Sequence, residues 1–95
     1  MRSTRGCRAV DVTVRGRVQG VSFRAYAEEQ ARRLGVAGWI RNEPDGSVAG
    51  HFEGDPVAVD TLVDWCRTGP RWARVEGVDV REATRGGDSS FGVRP

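Results

Sequence analysis

The sequence predicts an α/β (α+β) two-layer sandwich. Three observations carry that prediction: two segments with apolar residues at helical spacing, several short segments with strict alternation, and their order along the chain. At 95 residues the chain suits one domain with one modest hydrophobic core. A flexible tail is expected over residues 1–6 and a single domain over 7–95.

Val10, Val12 and Val14 alternate with Asp11, Thr13 and Arg15, giving a first strand one apolar face. From Phe23 the period lengthens. Phe23, Tyr26, Ala27, Ala31 and Leu34 share a helical stripe, while Glu28, Glu29, Arg32 and Arg33 take the wetter side. The Glu28/Arg32 and Glu29/Arg33 pairs stand acid before base at i,i+4, each contributing about 0.2–0.5 kcal/mol. Ser22 is the expected N-cap and Gly35 the expected C-cap.

A second strand is expected from Ala37 to Asn42, then a Pro44-Asp45-Gly46 turn into a third strand over Ser47–Glu53. There Val48, Gly50 and Phe52 share one face, with Ala49, His51 and Glu53 on the other. Asp55-Pro56 is a cap followed by proline at the first helical position, and Val59, Leu62, Val63 and Cys66 supply the buried stripe of a second helix. Gly69-Pro70 stops it. Val78 and Val80 mark a fourth strand within 75–83. Val75 is out of phase with them, so either a bulge intervenes or the strand begins after it. Phe91 and Val93 alternate as a short fifth strand would. The order is β-α-β-β-α-β, and both helices must cover apolar sheet. Placing them on one face gives a ferredoxin-like sandwich whose other sheet face is open to solvent or a partner.

All 15 basic residues are Arg, against 13 acidic residues, for a formal charge of +2 at pH 7. That balance permits anionic ligands and argues against a nucleic-acid coat. Cys7 and Cys66 lack the clustering of a zinc site or a redox CxxC. Two free thiols in a reducing compartment are expected; the other reading, a bridge, requires Cα atoms within about 7 Å. No segment approaches the ~20 apolar residues that cross a bilayer, so no membrane partner and a cytoplasmic location are expected. The absence of an extra helix or an extended apolar strand points to a monomer.

Chemistry concentrates in the stretch Gly16-Arg17-Val18-Gln19-Gly20-Val21-Ser22-Phe23, which ends at Arg24. Arg24 falls in the first turn of the predicted helix, where the dipole disfavours a cation unless an anion sits nearby. A compact loop framed by Gly16 and Gly20 can aim consecutive backbone N–H groups at one point, and a guanidinium beside it can grip two phosphate oxygens. Asn42, at a strand end before Pro-Asp-Gly, reads by itself as a turn former.

GRVQGVSFR at 16–24 followed by GWIRNEPDGSVAG at 38–50 resembles the two signature segments of the acylphosphatase family, in matching strand, helix and hairpin context. The resemblance spans about residues 7 to 94. It implies the ferredoxin-like sandwich and hydrolysis of the carboxyl–phosphate bond of an acylphosphate. It aligns Arg24 with the family's phosphate-binding arginine and Asn42 with its catalytic asparagine. Ser22 stands where members often carry glycine or an aromatic residue, and Glu43 where threonine or another uncharged residue is common. Alternation relative to Asn42 predicts that Glu43 points away from the site.

This chemistry needs no cofactor and no metal, because the carboxylate is already a stabilised leaving group. Arg24 and backbone amides from Arg17 through Phe23 stabilise charge on the phosphoryl oxygens. The carboxamide of Asn42 orients the attacking water, and a phosphate oxygen of the substrate takes the proton. The expected partner is a small acylphosphate or phosphate anion. His51, with no nucleophile signature near it, reads as a sheet-face residue. Trp39 and Trp65 read as core or core-edge, and Trp72 as exposed. The competing reading is a nonenzymatic ferredoxin-like binding or regulatory domain. RNA binding is disfavoured within it, because Ala49, His51 and Glu53 make a poor stacking surface.

Overall fold

The computed structural model describes residues 6–95; the expected N-terminal tail lies outside the described residues except for Gly6. Seven elements follow in order: β1 (Arg8–Arg17), α1 (Phe23–Leu34), β2 (Ala37–Asn42), β3 (Val48–Gly54), α2 (Pro56–Thr68), β4 (Arg74–Glu82) and β5 (Phe91–Arg94). The strands form one mixed sheet in the order β4-β1-β3-β2-β5, with β5 parallel to β2 and every other pair antiparallel. Both helices pack on one face, which makes the expected ferredoxin-like sandwich with a fifth strand.

The core lies between the layers. Val10, Val12 and Val14 of β1, Val48 and Phe52 of β3 and Ile40 of β2 meet Phe23, Ala27 and Ala31 of α1 and Val59, Leu62, Val63 and Cys66 of α2. These are the residues that the two periodicities place on apolar faces. Burying each valine-to-phenylalanine side chain stabilises the fold by about 1.5–3 kcal/mol. Asp55 caps α2, its carboxylate accepting from the N–H groups of Val57 and Ala58. Gly35, in the left-handed region, closes α1.

The phase break in β4 is a bulge. Arg15 pairs with Gly77 and Gly16 with Val75, leaving Glu76 without an opposite residue. Gly16 therefore lies inside β1 and does not belong to the loop it was expected to frame. Its φ is 127°, and a Cβ there would stand 2.1 Å from the Arg74 carbonyl oxygen, so the close approach of β4 admits only glycine.

Cys7 is exposed and Cys66 is buried, and both are free, which removes the bridge reading. Trp72 is 73% exposed, as expected. Trp39 lies on the open sheet face, its ring stacked on His51 and approached by the guanidinium groups of Arg41 and Arg94. No helix among the described residues is long and apolar enough to cross a membrane.

Candidate active site

The chain leaves the sheet at Arg17 and enters α1 at Phe23. Between them Val18 is buried and holds the loop down on the core, while Gly20 stands outside it. Gly20 has φ 75° and Ser22 φ 60°, so two left-handed residues bend the segment tightly. Among the described residues, the N–H groups of Gly20, Val21 and Ser22 have no protein acceptor.

Ser22 occupies the N-cap position without acting as the expected side-chain cap. Its backbone is left-handed and its side chain makes no cap bond, although its carbonyl accepts from the Tyr26 N–H at 3.1 Å.

Arg24 is the second residue of α1 and is half-buried. Its Nη1 donates to the main-chain carbonyl of Arg94, at the end of β5, over 3.1 Å. That contact fixes one corner of the guanidinium, and its remaining donors have no partner among the described residues. Asn42 ends β2 and reaches the same concavity. Val18, Gly20, Ser22, Phe23, Arg24 and Asn42 line one cleft of about 450 Å³, joined by Ala25, Glu28 and Val93.

Three residues expected at the phosphate loop do not line this cleft. Arg17 is exposed at the end of β1, and Val21 packs against the core. The Gln19 side chain turns toward the β2–β3 hairpin, where Nε2 donates to the carbonyls of Glu43 and Ser47, each at 2.8 Å. It thereby bolts the loop to the hairpin that carries Asn42. The hairpin is also locked internally: the Ser47 N–H and Oγ–H both donate to Asp45, and they hold its carboxyl below the usual carboxylate range.

Glu43 points away, as alternation predicts. Its carboxylate accepts from Arg41 Nε at 2.6 Å, so its charge is paired. Three cleft residues, Ala25, Glu28 and Val93, had no signal of function in the chain. Glu28 reads from its spacing only as a helix surface residue, and its carboxylate accepts from Arg32 at 3.2 Å. Val93 reaches the wall only because β5 joins the sheet beside β2.

A half-buried guanidinium at a helix start, unpaired loop amides and a carboxamide around one concavity define an anion-binding α/β sandwich suited to a phosphoryl group. The acylphosphatase family model matches residues 10–93. An acylphosphatase of a Nocardioides species is 70% identical over 86 residues, covering 90% of this chain and 87% of that protein. The solved structure of an acylphosphatase from Coxiella burnetii superposes with a TM-score of 0.89 at 34% identity, covering 93% of each chain. That from Bacillus subtilis superposes with a TM-score of 0.89 at 30% identity, covering 95% of this chain and all of that one. The chain belongs to the acylphosphatase family. It is a hydrolase of the carboxyl–phosphate bond of acylphosphates.

Proposed function

We propose that Arg24 and the main-chain N–H groups of the loop from Arg17 through Phe23 bind the phosphoryl group of a small acylphosphate, while Asn42 orients the attacking water. The observation that carries this reading is the convergence of Arg24, Asn42, Gly20 and Ser22 on one cleft. Bidentate contact from Arg24 and the loop donors meets charge that grows on the phosphoryl oxygens in the transition state. Asn42 accepts from water through its amide oxygen and donates through its NH₂, which aligns attack opposite the departing carboxylate. A carboxamide is too weak a base to keep the proton, which passes to a phosphoryl oxygen of the substrate. Gln19 acts as a positioning residue, because its two bonds to the hairpin set where Asn42 stands relative to the loop. The reading includes one catalytic domain over residues 7–95, acting as a monomer in the cytoplasm.

Asn42→Ala tests the division of roles. With benzoyl phosphate as substrate, kcat should fall about 10²–10³-fold, the range for losing one preorganised polar group. Inhibition by inorganic phosphate should change by less than about threefold, because uniform phosphate binding rests on Arg24 and the loop. Comparable losses in both quantities, or in neither, would defeat the assignment. Absence of turnover in the unmodified chain, with an active control enzyme beside it, would favour the regulatory-domain reading.

A further inference from the structure

The open face of the sheet holds a cluster that the cleft does not use. His51 and Glu53 are 6% and 5% exposed, although both are polar and both lie on the face away from the helices. His51 Nδ1 is 2.7 Å from an Asp11 carboxylate oxygen, and its Nε2 is 2.6 Å from Glu53 Oε2. The connector from β4 to β5 crosses this place. The Gly86 N–H donates to the same Glu53 oxygen at 2.8 Å, and Asp88 follows two residues later. One ligand atom each from His51, Glu53 and Asp88 lies within 4.8 Å of the others.

Two features separate this cluster from a satisfied ion pair. Asp88 has no hydrogen-bond or ion-pair partner among the described residues, yet its carboxylate lies within 4.8 Å of the Glu53 carboxylate and the His51 ring nitrogen. Three carboxylates, those of Asp11, Glu53 and Asp88, thus surround one imidazole. The ring is also oriented as a metal-binding histidine is: a carboxylate on Nδ1 fixes the tautomer and turns Nε2 toward the remaining oxygens.

We propose that His51 Nε2, Glu53 and Asp88 form a site for a divalent transition ion of the zinc class, with Asp11 as the carboxylate that orients His51. One nitrogen and two carboxylate oxygens suit a borderline cation, with metal–ligand distances of about 2.0–2.2 Å and water as the fourth ligand. Such distances require the His51 and Glu53 atoms to part to about 3.3 Å, a side-chain adjustment. The ion would take the place of the proton that now joins them.

The site shares no residue with the catalytic cleft. An ion here clamps the β4–β5 connector to β3 and acts on stability, not on turnover.

Calorimetric titration of the whole chain with zinc chloride, paired with thermal unfolding, tests this. One ion should bind per chain and raise the unfolding midpoint. Asp88→Asn should unfold like the parent without zinc, since that carboxylate has no partner to lose, and should bind zinc at least tenfold more weakly. Asp11→Asn should weaken binding about 10–100-fold, as loss of a second partner of a ligating histidine does. Cys7 lies in the neighbouring concavity with Glu53 and Asp88, so Cys7→Ser must retain full affinity. The proposal fails if the parent takes up no zinc at millimolar concentration, if Asp88→Asn binds as the parent does, or if Cys7→Ser abolishes binding.

Discussion

Gln19→Leu removes the bolt between the phosphate loop and the hairpin while keeping similar bulk. The two carbonyls that lose a donor are not stranded: Glu43 O still accepts from the Gly46 N–H at 3.1 Å, and Ser47 O from the Glu43 N–H at 2.9 Å. The stability cost is therefore the net value of two hydrogen bonds without a penalty for orphaned acceptors, about 1–3 kcal/mol in total. A domain stable by about 5–15 kcal/mol stays folded after such a loss. Catalysis should suffer more specifically. Asn42 immediately precedes Glu43, so a hairpin freed at Glu43 lets the carboxamide drift, and a misplacement near 1 Å costs about 10²-fold. We expect kcat for benzoyl phosphate to fall about 10–100-fold, with inhibition by inorganic phosphate changed less than about threefold. Steady-state hydrolysis, phosphate inhibition and urea unfolding on the same preparation separate these effects. A urea midpoint that falls while kcat stays within twofold would refute the positioning role and leave Gln19 as ordinary structural support.

Three further outcomes follow from local geometry. Ser22→Ala should change stability by less than about 0.5 kcal/mol because the hydroxyl caps nothing, whereas Asp55→Ala should cost about 1 kcal/mol for its loss of two capping bonds; urea unfolding of both variants tests the contrast. Burial pushes the Cys66 thiol up to about 12, so iodoacetamide at pH 8 should label Cys7 alone in the folded chain and both cysteines in urea, as counted by mass spectrometry. Two labels on the folded chain would contradict the packing of α2. Glu43→Thr should leave kcat within about threefold, because the carboxylate it removes is already paired with Arg41 and directed away; a larger rise in activity would show that Glu43 had repelled the anionic substrate.

Ser22 also shows how a sequence signal can be right about position and wrong about mechanism. Serine before a helix reads as a side-chain cap, and α1 does begin after it. The loop instead needs a left-handed residue there, and the hydroxyl gives up the capping bond. A glycine would enter that conformation at lower cost, by about 1 kcal/mol of strain. Gly16 is the converse case. Its glycine character was legible, but its reason, the close approach of a bulged neighbouring strand, depends on a pairing almost sixty residues away.

Periodicity by itself determined the elements and their apolar faces, because helix and strand spacing act over a few residues and need no partner. The helix bounds, the second strand and the buried stripe of α2 were all readable in this way, and the two signature segments carried the family. Which strand lies beside which was decided only by tertiary structure. The order β4-β1-β3-β2-β5 brings the Arg94 carbonyl to Arg24, sets Val93 in the cleft wall and carries Asp88 across to His51. Those contacts join residues far apart in the chain, and no local preference encodes them; they exist because burying both helices on one sheet face leaves the strands this arrangement.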